Sequence, residues 1–195
     1  STIHLAGGEA QLLTRTGREH VLRMALDEVR SSYDVILFDC APTLGVLTIN
    51  ALTAADDVII PLQCETLSHR GVDQLLDTVH DVQRLTNPGL SVMAVIPTLF
   101  DGRTLHAKAV LADISTRYGL AVLEPPIPRS VRFAEAPAAG KTIMRAGRKT
   151  PGAMAYRALA RRLAGMPAES QTIDLDAAET DAALAAVIPT GGDPA

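Results

Sequence analysis

Four short apolar runs, each bounded by Asp, Pro or Gly, alternate with stretches of helical periodicity. The runs are residues 34–39 (DVILFD), 57–62 (DVIIPL), 90–97 (LSVMAVIP) and 120–127 (LAVLEPPI). Their length and β-branched content suit strands buried on both faces, although Pro61 weakens the second and Pro125 and Pro126 the fourth, because proline cannot donate to a ladder. Between the runs, Val21, Leu22, Ala25, Leu26 and Val29 share one helical face, as do Val72, Leu75, Leu76, Val79 and Val82. A third helix is predicted over about 103–118, ending at Gly119, and a last amphipathic helix over 151–163. Such alternation predicts an α/β three-layer sandwich with a mostly parallel sheet and right-handed crossovers. Ligands on such sheets gather at the carboxyl ends of the strands, which directs attention to residues 39–44, 63–69, 98–103 and 128–141.

With 195 residues, 47% of them hydrophobic, the chain is long enough for one core and short for two ordinary domains, so one domain over 1–164 is expected. No apolar run approaches the roughly 18 residues of a membrane span, and the composition excludes collagen-like sequence and wholesale disorder. The net charge of −4 is unevenly spread: residues 165–195 hold six of the 22 acidic side chains and none of the 18 Lys and Arg. That tail, rich in Ala, Pro and Thr, is predicted to be disordered, with at most a weak helix around 177–187. The body is close to neutral, so nucleic-acid binding would have to come from local clusters rather than net charge. Cys40 and Cys64 lack any framework spacing and read as small core residues in a reducing compartment. The five histidines show no metal-ligand spacing, so no structural metal is expected. With no signal-peptide pattern the default location is the cytoplasm, and Ser1 in place of Met hints at residues removed upstream.

Asp39 is the first candidate for chemistry, since it closes an apolar run and is followed by Cys-Ala-Pro. A carboxylate there suits a Mg²⁺ ion that accompanies a nucleotide. It suits equally a cap on a helix starting near Thr43 or Leu44, and a phospho-acceptor role is a third, weaker alternative, no acidic pair preceding it. Gly140-Lys141-Thr142 looks like the end of a phosphate loop, but Glu135 stands where the pattern needs Gly and no apolar strand leads into it. It is rejected as one. Ala6-Gly7-Gly8 reads as a loop or helix start. Arg103 and Arg132 each follow a strand end, with Arg129, Lys141, Arg145, Arg148 and Lys149 nearby in sequence. Converged, they would form a basic rim for phosphate backbone; scattered, they are ordinary solvated surface, the more usual case. With three Phe and three Tyr, base stacking on single strands is not expected.

Taken together, residues 33–53 (YDVILFDCAPTLGVLTINALT), 60–65 (IPLQCE), 97–104 (PTLFDGRT), 127–137 (IPRSVRFAEAP) and 152–156 (GAMAY) resemble the ParA/Soj-type chromosome- and plasmid-partitioning ATPases, relatives of MinD with a deviant Walker motif. The resemblance covers roughly residues 1–164 and implies a P-loop NTPase-like fold whose N-terminal strands and phosphate loop are missing here. It implies ATP and Mg²⁺ as cofactors, an ATP-dependent homodimer, non-specific binding of double-stranded DNA, a ParB-type partner that stimulates hydrolysis, and a cytoplasmic, nucleoid-associated location. Residue by residue, it gives Asp39 as the Walker B carboxylate holding Mg²⁺ through water, Leu99 and Pro128 as flanking the adenine, and Arg103 and Arg132 as DNA-binding. Without a lysine-rich amphipathic helix at the C-terminus, membrane binding is not expected.

The family's Lys-Gly-Gly-Val-Gly-Lys-Thr-Thr loop does not occur in these 195 residues, and nothing else in them neutralises the phosphate charge that builds during transfer. This stretch alone is therefore not expected to hydrolyse ATP, and it carries no catalytic residue of its own. Its first strand would also lack a neighbour, which predicts poor stability or aggregation of residues 1–195 in isolation. One alternative is a non-catalytic DNA-binding and dimerisation module derived from a ParA-like protein. Another is a synthetase or tyrosine-kinase-like enzyme of the same superfamily, against which Arg103 and Arg132 argue. The acidic tail reads as a solvated appendage or, alternatively, as a competitor for the basic rim.

Overall fold

The computed structural model describes residues 9–64 and 68–165, which fall into two compact units. The tail, Ala6-Gly7-Gly8 and residues 65–67 of one candidate loop lie outside the described residues.

The first unit comprises the described residues up to 59 and those from 68 to 93. A 3-10 turn leads into α1 (Val21–Asp27), followed by α2 (Val46–Ala54), the start of strand β1 (Asp57–Gln63), α3 (Ser68–Leu85) and the start of β2 (Ser91–Thr98). Helix α3 confirms its apolar stripe, since Val72, Val79 and Val82 are buried and Leu75 is half-buried. Val79, Val82 and Leu90 close a core with Leu52 of α2, flanked by Ile49, Val58 and Val92. Of the α1 face, Val21, Leu22 and Leu26 turn inward, whereas Ala25 and Val29 stay exposed.

Polar groups fix how α2 is held. Asn50 is buried, yet both ends of its amide are bonded: Nδ2 donates to the Arg18 carbonyl at 2.7 Å and the Val46 carbonyl at 2.9 Å, and Oδ1 accepts the Leu22 N–H at 3.1 Å. At the other end of α2, Asn87 Nδ2 donates to the Leu52 and Ala55 carbonyls at 3.0 and 2.7 Å, satisfying acceptors that a helix end leaves open.

β1 and β2 pair as a parallel two-stranded sheet joined by the α3 crossover, as expected for the second and third apolar runs. The first run behaves differently. Residues 34–39 have no regular secondary structure, and Val35 and Leu37 are 69% and 83% exposed, so the strand expected there is not formed. The cause is the lack of a partner: extended backbone becomes a strand only when a neighbour takes up its N–H and C=O groups, and no described segment does so. Cys40, expected in the core, is exposed for the same reason, while Cys64 is half-buried; both thiols are free.

The second unit holds residues 60–64 and 94–165. The fourth run lies parallel to β2, with Leu123 N–H donating to the Val95 carbonyl at 2.9 Å and Ile127 N–H to the Pro97 carbonyl at 2.8 Å. It forms isolated bridges at Val122 and Pro128 rather than the continuous strand expected, because Pro125 and Pro126 between them have no N–H to give. Helix α4 (Leu105–Tyr118) starts at Thr104, whose hydroxyl accepts the Ala107 N–H, and ends at Gly119, whose φ of +64° is the left-handed cap that glycine supplies cheaply. After α5 (Arg132–Ala138) and the single turn α6 (Ile143–Ala146), α7 occupies Pro151–Leu163, the span its periodicity predicts. Ala155 and Leu159 of α7 join Ile127 in this unit's core, against Ile96, Leu123 and Phe133. Gly152 lets the Phe133 ring approach: a Cβ there would lie 2.4 Å from the ring's tip.

Candidate functional site

In the second unit, β2 is followed by Leu99, where the backbone turns to φ +48°, the only positive φ at a non-glycine residue among the described residues. A branched side chain there costs on the order of 1 kcal/mol, and such strain collects at functional sites. Phe100 N–H then donates to the Ile127 carbonyl at 2.9 Å, and the Phe100 carbonyl accepts the Arg129 N–H at 3.2 Å. This parallel bridge brings Leu99 and Pro128 to one sheet edge, Leu99 partly exposed and Pro128 buried. Phe100 and Pro128, almost thirty positions apart, are thereby joined by register alone.

Just beyond, the Arg103 guanidinium forms a two-pronged pair with Asp101, Nε and a terminal nitrogen each donating at 3.0 Å, while Arg103 N–H donates to the same carboxylate at 3.1 Å. These bonds hold the Asp101 carboxyl below the usual carboxylate range, and the charge of Arg129 adds to the effect. Arg132, in the first turn of α5, donates to Glu135 at 3.1 Å. Arg103 is exposed and Arg132 half-buried, and each is paired with a carboxylate of its own segment, a partner that sequence reasoning missed.

Asp39 lies in the first unit, exposed on the unpaired 34–39 segment. Helix α2 begins at Val46 with Gly45 as its N-cap and no side-chain cap, which removes the capping role for Asp39. Beside it, partial burial pushes the Cys40 thiol up, and the Asp39 charge pushes in the same direction. Among the described residues no three His, Cys, Asp or Glu side chains cluster as a metal site.

Gly140-Lys141-Thr142 follows the end of α5 and leads into α6. Gly140, at φ +63°, closes the helix, and Lys141 N–H donates to the Ala136 carbonyl at 2.9 Å. That amide is spent on capping, and the following α6 has four residues, so no phosphate cradle exists there.

Comparison with known proteins supplies relatives. Residues 1–92 match the AAA domain family model AAA_31. Over 164 residues, 84% of this chain and 65% of the relative, the sequence is 43% identical to the sporulation initiation inhibitor protein Soj of Bacillus subtilis. Over most of its length the chain is thus similar to the ParA/Soj partitioning ATPases. A crystal structure of cobyrinic acid a,c-diamide synthase from Mycobacterium smegmatis, with bound ADP and magnesium, superposes with a TM-score of 0.68 at 48% identity, covering 87% of this chain and 64% of that one. The ATP complex of a single-residue variant of McdA from Cyanothece, at 21% identity and a TM-score of 0.72 over 86% of this chain and 65% of that one, shares the fold. The ParA/Soj fold assignment therefore holds: an α/β, P-loop NTPase-like architecture. The chain spans between about half and two thirds of the length of the curated relatives it matches. No helix among the described residues is long and apolar enough to cross a membrane.

Proposed function

We propose that this chain is the DNA-engaging and nucleotide-flanking part of a partitioning ATPase. The native protein binds ATP with Mg²⁺, dimerises, loads onto double-stranded DNA without sequence preference, and is released when a ParB-type partner stimulates hydrolysis in the cytoplasm. The observation that carries this reading is the 43% identity to Soj over 84% of the chain.

Each candidate residue has a part in it. Mg²⁺ keeps most of its waters and takes one or two carboxylates besides the phosphates it accompanies, so an exposed, single Asp39 fits a ligand acting through water. Bound there, the ion would offset nucleotide phosphate charge. Leu99 and Pro128, at one edge, suit the flat apolar faces of adenine. Arg103 and Arg132 would exchange their carboxylate partners for DNA phosphates. Hydrolysis in this reading requires a phosphate loop, which these 195 residues do not contain.

The test is binding of the native protein to random-sequence duplex across a salt series, with and without ATP. Affinity should fall steeply with salt, and Arg103→Glu with Arg132→Glu should weaken it more than about tenfold and flatten the log–log slope by up to about 2. Unchanged affinity in a folded double variant overturns the assignment, and binding indifferent to ATP favours the non-catalytic module.

The 48% identity to a protein described as a cobyrinic acid a,c-diamide synthase favours a second reading, an ATP-dependent synthetase that amidates a carboxylic acid. Amide formation with no DNA binding would select it.

A further inference from the structure

Within the second unit, α5, α6 and α7 enclose an open groove of about 700 Å³ that contains none of Asp39, Leu99, Arg103, Pro128 or Arg132. Phe133, Ile143, Met144, Tyr156 and Ala160 give it an apolar wall. Among the described residues its charged lining is Lys141, Arg157 and Arg161, with no carboxylate. A smaller depression shares Met144 and Arg157 and adds Arg145 and Arg148, so five cationic side chains border the apolar wall and its neighbour. A surface that is apolar at its centre and cationic at its border selects an acidic amphipathic segment.

Such a segment follows in the same chain. Residues 166–195 carry six carboxylates and no Lys or Arg. Four of the six, Asp174, Asp176, Glu179 and Asp181, precede Leu184, Val187 and Ile188, whose spacing places them on one face of a helix. At the C-terminus of α7, Gly165 takes φ +67° and donates to the Arg162 carbonyl at 3.1 Å, so the chain leaves the helix axis one turn past Arg161. The 13 residues of α7 make a helix about 20 Å long, and residues 166–172, extended, span about as much, so the acidic segment can return along the groove.

We propose that residues 173–188 dock in this groove, with Leu184, Val187 and Ile188 on its apolar wall and the carboxylates toward Lys141, Arg157 and Arg161. Tethering makes the encounter intramolecular, equivalent to millimolar peptide, so weak intrinsic affinity suffices. The proposal does not rest on the partitioning reading.

The chain has three lysines, Lys108, Lys141 and Lys149, of which Lys141 alone lines the groove, and this makes zero-length carbodiimide cross-linking of the 195-residue chain a direct test. Peptide mapping of the monomer should find Lys141 joined to Asp174, Asp176, Glu179 or Asp181 at least about fivefold more often than Lys108 or Lys149. The preference should vanish in 0.5 M salt, where the Debye length is about 4 Å, and in the Leu184→Asp/Ile188→Asp chain, which retains all four carboxylates and spares every described element. Equal yields at the three lysines overturn the proposal, as does a Lys141 preference that survives both treatments. Tail cross-links to Lys141 found only in covalent dimers overturn it in favour of a second copy.

Discussion

Two apolar runs of this chain, DVILFD at 34–39 and SVMAVIPT at 91–98, look alike in sequence and end up in opposite states. The second is β2, with Val95 fully buried and its backbone bonded to the fourth run; the first is unpaired, with Leu37 83% exposed. Hydrophobicity and β-branching select extended backbone, but a strand is completed by its neighbours, which supply the hydrogen bonds and cover the faces. The difference therefore lies in available partners rather than in the residues themselves.

The sharpest way to break this contrast is to place the same charge in both runs. Val95→Asp buries an unpaired carboxylate and should cost about 4 kcal/mol or more, enough to abolish a cooperative urea transition, whereas Leu37→Asp should leave the midpoint within about 0.5 kcal/mol. A large loss from Leu37→Asp would mean that the run is paired in solution. Next in size, Asn50→Ala removes a group that serves three backbone partners in the first unit and should cost about 2 kcal/mol by denaturant titration, because those partners are left unbonded. A smaller effect on stability but a visible one on solubility is expected of Val35→Ser with Leu37→Ser. Light scattering should show less self-association at equal concentration, since the exposed apolar edge is removed. The smallest effect concerns pH. The Asp101 carboxyl titrates below its unfolded value, so its pairing stabilises the folded chain above the ordinary carboxylate range and is lost as pH falls through the lowered value. Arg103→Ala should bring the Asp101 titration, followed by NMR, upward toward the ordinary value.

The helices were legible because their signals are local. The Val72 to Val82 stripe, the Gly119 stop and the 151–163 span need only a window of a dozen residues, and each is found where its pattern places it. The strands were legible as extended segments but not as members of a sheet, since Pro125 and Pro126 interrupt one and the absence of a partner leaves another unpaired. Of the candidate residues, Asp39, Arg103 and Arg132 stand out in the sequence because they close or follow apolar runs, whereas Leu99 and Pro128 could be singled out only through family resemblance. Nothing in a leucine side chain announces a φ of +48°, and the bridge of Phe100 to Pro128 depends on parallel register across almost thirty residues. Glu135 was the more avoidable omission, since an acidic residue three after Arg132 on a helix signals local pairing, whereas Asp101, two before Arg103, pairs in a turn that spacing alone does not announce.

That local pairing turns binding of any polyanion into an exchange reaction. Asp101 is a resident counter-ion that travels with Arg103, held by the same two-pronged geometry a phosphate would use. An incoming phosphate must evict it, and the released carboxylate then recruits a cation from solution, which offsets part of the gain from ions shed by the polyanion. Arg103 should therefore contribute less to salt sensitivity than its full charge implies, and Asp101→Asn should tighten binding while steepening that dependence. On the proposed reading the carboxylate would act as a built-in damper, keeping any grip on phosphate weak enough to let go.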